Sequence, residues 1–158
     1  MEFTIRKATS KDAEEIAKLY IQFWEPHKGV DPLIELDKKL NLTSQIDVAK
    51  SDIRKKDTYV FVAIKENKVV GYIELLIKSN DKMFKIKKYG YLNSAATHKD
   101  YRGQGIARIL TEFGMIFLKS KGIKYVKTNV YNTNDVAMST WKKLGFVEQS
   151  TNLVRILK

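Results

Sequence analysis

The chain has 158 residues, of which 44% are hydrophobic and 30% charged, and its formal net charge is +11. This length and balance are typical of one folded domain, which we expect to span residues 1–158. The absence of cysteine excludes disulfides, a thiolate nucleophile and cysteine-ligated metals. No apolar run approaches the roughly 20 residues of a membrane span, and no signal-peptide core opens the chain. We therefore expect a cytoplasmic protein without a membrane partner.

The positive charge favours an anionic partner, which could be a nucleic acid, an acidic membrane surface or a phosphorylated small molecule. The basic residues are spread along the whole chain, as on an ordinary solvated surface, so charge alone does not choose among these partners. Nucleic-acid binding is the least expected. The two histidines, His27 and His98, have no further ligands at metal spacing, and no metal site is expected.

The first third of the chain predicts a strand followed by helices. Residues 3–6 read as a short strand. Residues 9–12 have the spacing of a capping box, which predicts a helix from there to about Trp24. Asp31-Pro32 favours a second helix start, because proline is tolerated at the first helical position. Apolar spacing predicts a further helical stretch over residues 46–53.

The middle of the chain predicts a β-hairpin and a further strand. Residues 59–64 and 69–77 are rich in β-branched and aromatic side chains, and residues 66–68 between them are typical of a tight turn. Residues 80–88 form a polar, lysine-rich excursion, and residues 89–97 predict the next strand.

The last third predicts an amphipathic helix that stops at Gly122, a strand over residues 125–131 and a helix that ends at Gly145. Residues 146–147 and 153–157 are expected to close the fold as an antiparallel pair. The order is then β-α-α-β-β-β-α-β-α-β-β, an α/β (α+β) fold with a mixed sheet and helices on its faces.

Residues 97–108 carry the most informative pattern. A predicted strand ends, Gly103 and Gly105 allow a tight turn, and an amphipathic helix begins at once. The first N–H groups of such a helix have no internal partners and lie at its positive dipole end, which favours a phosphate or pyrophosphate. Arg102 and Arg108 add positive charge there. The alternative is an ordinary strand-to-helix turn, and neither the dinucleotide fingerprint nor the nucleotide-hydrolase P-loop is complete.

This segment resembles a known family. The residues Arg-Gly-Gln-Gly-Ile-Ala at 102–107 match the R/Q-x-x-G-x-G/A signature of the GCN5-related N-acetyltransferases (GNAT), and residues 98–101 are similar to that family's His-Pro-Asp-Tyr lead-in, with Lys99 in place of proline. Residues 134–146 resemble the family's N-x-x-A-x-x-x-Y-x-x-x-G-F segment, and residues 5–12 resemble its opening. The resemblance covers essentially the whole chain in the expected order.

The resemblance implies a largely antiparallel central sheet and an acetyl-CoA-dependent transfer of an acetyl group to a primary amine. Acetyl-CoA is then the co-substrate, and the acceptor is a protein or peptide amine or a small-molecule amine. A homodimer is expected, as in many relatives. The alternative is a sensor module that binds CoA and has weak or no catalysis.

The resemblance also assigns the co-substrate's contacts. The pantetheine arm is expected along Ala95 to Thr97, the pyrophosphate on the N–H groups of residues 102–107, and Asn134 near the arm. The expected cofactor-binding residues are Ala95, Ala96, Thr97, Arg102, Gly103, Gln104, Gly105, Ile106, Ala107, Arg108 and Asn134.

Catalysis needs a group that removes a proton, because an alkyl amine is mostly protonated at neutral pH, and a donor that stabilises the developing oxyanion. Some relatives carry a glutamate on the strand beside the thioester, but residues 89–97 contain no carboxylate. Glu74 on the preceding strand is the nearest candidate. The alternatives are that Glu74 is an outward-facing charge on a half-exposed strand and that an ordered water acts instead.

The leaving thiolate has no evident proton donor. The family usually has a tyrosine where this chain has Trp141, which in phase with Ala137 and Leu144 is expected in the core. Tyr131 is the candidate substitute, and its alternative reading is a strand-end aromatic. The amine pocket is expected where the family's acceptor-site helices and loop fall, and its candidate residues here are Trp24, Glu25, His27 and Asp31.

Overall fold

A five-stranded sheet forms the centre of the computed structural model, which describes residues 3–27, 29, 33, 41–155 and 157. Neighbouring strands in the sheet follow the chain order, β1 to β5. The first three pairs are antiparallel and β4 pairs with β5 in parallel. The strands are β1 (Thr4–Lys7), β2 (Thr58–Lys65), β3 (Lys68–Ser79), β4 (Lys88–Thr97) and β5 (Val126–Lys127).

Helices cover both faces of this sheet. They are α1 (Ala13–Trp24), α2 (Leu42–Arg54), α3 (Ile106–Ser120) and α4 (Asp135–Lys143), with short 3-10 turns at Ser10–Asp12, Glu25–His27 and Lys99–Tyr101. The predicted mixed fold with helices on a largely antiparallel sheet is confirmed. The helix start predicted at Asp31-Pro32 lies outside the described residues.

Local signals explain most of these bounds. The predicted capping box forms, since the Thr9 N–H donates to Asp12 Oδ2 over 2.7 Å. At the start of α2, the Ser44 N–H donates to Asn41 Oδ1 over 2.9 Å. Glu66 and Asn67 have positive φ angles of 50° and 62°, the conformation of a type I′ turn, which confirms the predicted hairpin.

The sheet separates two cores. The face covered by α1 and α2 buries Ile16, Leu19, Tyr20, Val60, Val62 and Tyr72. The face covered by α3 buries Phe61, Ile73, Leu75, Leu92, Leu110 and Leu118. Because side chains alternate along a strand, β3 contributes Tyr72 to one core and its neighbours Ile73 and Leu75 to the other.

Two predictions for the end of the chain are wrong for the described residues. The predicted strand over residues 125–131 shrinks to Val126–Lys127, because Thr128 bonds the Leu92 carbonyl through its side-chain hydroxyl at 3.0 Å. The predicted pairing of residues 146–147 with 153–157 is absent among the residues that the structure describes.

A turn at Gly145 explains the missing pair. This glycine has a φ of 86° and follows Leu144, the residue that caps the end of α4. The turn lets the Phe146 N–H donate to the Trp141 carbonyl over 3.0 Å, and the two rings lie 5.8 Å apart. Phe146 therefore packs on the helix instead of extending into a strand. Trp141 is half-buried against the α3-side core, as the sequence predicts.

Candidate active site

A glycine-rich turn connects β4 to α3. Gly103 and Gly105 have φ angles of 75° and 77°, which favour glycine, and α3 begins at Ile106. The Ile109 N–H is the first to bond back, to the Gly105 carbonyl at 3.1 Å. The N–H groups before it have no intrahelical acceptor. A Cβ placed on Gly103 or Gly105 would meet no described atom within 4 Å, so the backbone here is open to a ligand.

Beside this turn, the outer edge of β4 pairs with no strand among the residues that the structure describes. The β4–β5 ladder contains only the pairs Gly90↔Val126 and Tyr91↔Lys127. Further along β4, the His98 N–H donates to the Val70 carbonyl on the β3 side at 2.9 Å. Since neighbouring residues of an antiparallel strand direct their backbone groups to opposite sides, those of Ala95 and Thr97 face the open edge.

Thr97 lies where the open edge meets the glycine turn. Its carbonyl accepts from Gln22 Nε2 at 2.9 Å and from Arg102 Nε at 3.5 Å. Its side-chain Oγ1 is buried without a hydrogen-bond partner among the described residues. An orphaned hydroxyl beside an open strand edge and an uncapped helix start fits a bound molecule that has both polar and anionic parts.

Two other predicted cofactor residues, Arg108 and Asn134, have side-chain groups that are already engaged. Arg108 Nη1 pairs with Glu112 Oε1 at 3.0 Å on the exposed side of α3. Asn134 precedes α4, and its Oδ1 accepts the Ala137 N–H at 3.0 Å.

Gln22 is a residue that the sequence analysis missed. Its amide bridges two points of the β4-to-α3 connection, because Nε2 donates to the Thr97 carbonyl and Oε1 accepts the Lys99 N–H at 3.1 Å. The side chain thus ties α1 to the segment that leads into the glycine turn. Thr97 and Lys99 lie 75 and 77 positions after Gln22, so no local sequence pattern predicts these contacts.

Glu74 is buried on the opposite side of the sheet from α3. Only 5% of this residue is exposed, which overturns the alternative of an outward-facing charge. Its Oε2 accepts from Asn93 Nδ2 at 2.9 Å and from Ser94 Oγ at 3.1 Å, next to an irregularity in the β3–β4 register. Burial raises the pKa of the Glu74 carboxyl above its ordinary value, the Asn93 bond opposes this, and the nearby Asp52 adds to it.

Glu74 belongs to a larger buried polar cluster. The Tyr20 hydroxyl lies 3.4 Å from Asp52 Oδ2, and the Tyr20 and Tyr72 rings meet edge to face at 4.9 Å. Burial raises the pKa of both tyrosines and of Asp52. The Tyr72 hydroxyl is buried without a hydrogen-bond partner in the described part of the chain. This buried polar cluster comprises the buried Tyr20, Tyr72, Glu74 and Ser94, with the half-buried Asp52 and the exposed Asn93 at its margin.

Three residues predicted for the acceptor side and for catalysis meet in one aromatic cluster. The His27 ring lies 5.4 Å from Tyr131 and 5.8 Å from Trp24, with Phe23 at 4.9 Å. His27 Nδ1 is 2.8 Å from the Phe23 carbonyl. Because a carbonyl only accepts, the Nδ1–H of His27 donates this bond.

The remaining predicted acceptor residues are less informative. Glu25 is exposed in the same 3-10 turn as His27, and Asp31 lies outside the described residues. Within the described ranges, no group of three or more His, Cys, Asp or Glu side chains is arranged to hold a metal. Among those same residues, no helix is both long and apolar enough to cross a membrane.

Comparison with known proteins identifies the family. The Acetyltransferase (GNAT) family profile matches residues 13–146, and the chain therefore belongs to that family. Over 88 residues the chain is 32% identical to N-alpha-acetyltransferase 30 of Schizosaccharomyces pombe. That match covers 56% of this chain and 57% of the relative.

Solved structures share the fold. A Bacillus halodurans protein solved as a tetramutant superposes with a TM-score of 0.84 at 23% identity, covering 98% of this chain and 99% of that one. An aminoglycoside N-acetyltransferase in complex with CoA gives a TM-score of 0.77 at 15% identity, covering 99% of this chain and 95% of that one. At these identities the likeness establishes the architecture alone.

Proposed function

We propose that this member of the GNAT family transfers the acetyl group of acetyl-CoA to a primary amine, with Glu74 as the proton acceptor. One observation carries the proposal. The open edge and glycine turn that suit acetyl-CoA lie along β4, and the same strand supplies Ser94 and Asn93 to the buried carboxylate of Glu74.

The co-substrate side is the edge of β4 and the start of α3. Acetyl-CoA supplies an acetyl group already activated as a thioester. The outward backbone groups of Ala95 and the outward N–H of Thr97 suit its amide-rich arm, and the N–H groups from Gly103 to Ala107 suit its pyrophosphate. The guanidinium groups of Arg102 and Arg108 add charge-assisted donors at this point. Asn134 stays a proposed contact to the arm.

Proton removal falls to the buried polar cluster. An attacking amine must be neutral, and a carboxylate removes its proton efficiently when the carboxyl pKa approaches the working pH. Burial moves the pKa of Glu74 in that direction, while Asn93 and Ser94 hold the acceptor oxygen in place. The proton is taken by Glu74 directly or through a water molecule.

The leaving group needs less help. An alkyl thiol has a pKa of about 8.5, so its thiolate is a tolerable leaving group at neutral pH without a proton donor. Trp141 cannot serve as an acid, because an indole N–H donates a hydrogen bond but does not release its proton at neutral pH. Tyr131, beside His27, is the proposed donor if one acts.

The proposed acceptor is the α-amino group of a peptide. At pH 7 about a tenth of such groups are neutral, against about one in a few thousand lysine side-chain amines, so a single buried carboxylate is sufficient. The aromatic surface formed by Trp24, His27 and Tyr131 suits an apolar first residue of such a peptide. Glu25 is proposed to approach its amine, and Asp31 stays a candidate from the sequence alone. The name of the yeast relative agrees with this acceptor class.

The test is release of CoA thiol from acetyl-CoA across a panel of peptides, polyamines, amino acids and aminoglycosides. A thiol-reactive dye reports it without background, because the protein has no cysteine. Release with free-N-terminal peptides, and none with N-terminally blocked ones, supports the proposal. Acetyl-CoA binding without release from any amine supports the sensor alternative. A homodimer, a cytoplasmic location and a single domain stay predictions.

A further inference from the structure

The loop between β3 and β4, residues 80–87, exposes apolar side chains among lysines. Met83 is 81% exposed, Phe84 50% and Ile86 38%. Residues 78–88 contain five lysines and one aspartate, a net charge of +4 within a chain whose total is +11. Scattered apolar residues on a surface are normal, but three within four positions, in a segment with a net charge of +4, indicate a contact surface.

This loop has a defined shape. The Asn80 N–H donates to the Lys87 carbonyl over 2.8 Å and closes the loop at its base. The Met83 N–H donates to Asp81 Oδ1 over 2.9 Å, and the Phe84 N–H donates to the Asp81 carbonyl over 3.1 Å. These bonds hold Met83 and Phe84 at the tip, so their exposure follows from an ordered turn.

The chemistry of the tip selects its partner. Lysine ammonium groups suit phosphate headgroups, and apolar side chains between them gain by entering the boundary between headgroups and acyl chains. A surface for single-stranded nucleic acid would instead present aromatic side chains that stack on the bases. Of the three exposed apolar residues only Phe84 is planar, and Met83, the most exposed, is not.

We propose that residues 78–88 form a binding surface for anionic phospholipid bilayers, with Met83, Phe84 and Ile86 entering the interface and the lysines contacting phosphates. This proposal departs from the sequence-based expectation of no membrane partner, which rested on the lack of a spanning run and does not bear on a surface contact. The loop joins the start of β4, whereas the glycine turn follows the end of that strand at Thr97. At about 3.3 Å per residue the two are about 30 Å apart, so the active site stays accessible.

Vesicle flotation of the full chain tests the proposal. The protein should float with vesicles of equal parts phosphatidylcholine and phosphatidylglycerol and stay behind with phosphatidylcholine alone. Each lysine at an anionic surface strengthens partitioning about fivefold, so Lys82→Glu/Lys85→Glu should weaken binding by roughly 25-fold or more. Met83→Ser/Phe84→Ser should weaken it about tenfold, through lost apolar burial.

The matched control, Lys11→Glu/Lys68→Glu, reverses two exposed lysines outside this loop. Lys11 lies in the 3-10 turn before α1, and Lys68 lies at the start of β3. This variant removes the same charge and should retain most of the binding. Equal losses in both charge variants would overturn the proposal, as would binding to neutral vesicles or no binding to any. A nucleic-acid partner would give a different pattern. Single-stranded DNA would then retain the protein as strongly as vesicles do, salt would weaken this retention, and Met83→Ser/Phe84→Ser would not change it. That result would also overturn the proposal.

Discussion

The two faces of the central sheet differ in what they bury. On the α3 side the core is apolar, with Ile73, Leu75 and Leu118 packed together. On the α1/α2 side, strands β3 and β4 bury Tyr72, Glu74 and Ser94 beside apolar residues. Burying polar groups costs free energy unless they are hydrogen-bonded. The α3 side therefore supplies stability, and the α1/α2 side holds the groups suited to chemistry.

The contrast also separates charges. The apolar face ends in the glycine turn, where open N–H groups at the start of α3 favour an anion. The opposite face holds carboxyl groups at Glu74 and Asp52, which favour a cationic amine. One strand can contribute to both faces, because the side chains of successive residues point to opposite sides of the sheet.

The largest change in binding should come from Gly105→Ala. Its Cβ enters the space left open for phosphate, and loss of two charge-assisted N–H bonds weakens acetyl-CoA binding by roughly 100-fold or more. Calorimetric titration measures this. Gly122→Ala is the matched control, because Gly122 ends the same helix with φ 78° and an equally open Cβ position. Equal affinities in the two variants would remove the glycine turn from the binding site.

Leu118→Ala tests the stability role of the apolar face. This side chain is 1% exposed, and truncation should lower the free energy of unfolding by about 3 kcal/mol in urea titrations. The kcat/KM per folded molecule should not change, since Leu118 is near the C-terminal end of α3. A specific loss of activity in folded protein would show that the faces are not separable in this way.

Asp12 tests an ion pair at the edge of the α1/α2 face. Its two bonds to Arg6, of 2.7 and 2.8 Å, hold the pKa of Asp12 at about 2, below the ordinary 3.8. A depressed pKa adds stability at pH values above the ordinary pKa of 3.8. That stability is lost as the pH falls from 3.8 to about 2. Asp12→Asn should cost about 2 kcal/mol at neutral pH and nothing near pH 2.

The comparison variant for Asp12 is Glu14→Gln. Glu14 pairs with Lys18 in an exposed i,i+4 bridge, which contributes little. Chemical unfolding across pH should therefore separate the two variants. A pH-independent loss in Asp12→Asn would mean that the side chain acts through packing or capping alone.

The smallest effect expected is that of Gln22→Leu. Losing its bridge to Thr97 and Lys99 should loosen the approach to the glycine turn and weaken acetyl-CoA binding about fivefold, the worth of about one net hydrogen bond. The thermal midpoint checks that the fold persists. If Gln22→Leu changes the KM of the amine instead, the residue belongs to the acceptor side.

Local features of the fold could be predicted from the sequence, and long-range ones could not. The capping box at Thr9, the turn at Glu66–Asn67 and the glycine turn each depend on a few consecutive residues. The contact of Glu74 with Asn93 and Ser94 depends on the β3–β4 register, including its irregularity. The visible signal was a polar Asn-Ser pair within an otherwise apolar strand.

The wrong prediction at the end of the chain has the same origin. The apolar residues within 153–157 favour a strand, yet a strand forms only where a partner edge and a core are available. Leu153 is 92% exposed, and Phe146 packs on Trp141 instead of pairing. The meeting of His27 with Tyr131 is likewise a tertiary contact that spacing along the chain does not reveal.

Glu74 also predicts a trade-off between stability and activity. Its raised folded pKa means that the carboxylate opposes folding increasingly as pH rises through that pKa, while below the unfolded value the penalty is absent. At neutral pH, Glu74→Gln should therefore be at least as stable as the wild type. Any gain in stability should vanish in acid. Thermal unfolding at both pH values measures this.

The most direct test of the proposed chemistry is the kcat/KM of Glu74→Gln for peptide acetylation, measured beside wild type and the exposed control Glu148→Gln. Loss of the proton acceptor should lower kcat/KM by about 10²–10⁴-fold with the Kd for acetyl-CoA unchanged, while the control matches wild type. A folded Glu74→Gln protein that acetylates the peptide at the wild-type rate would contradict the account.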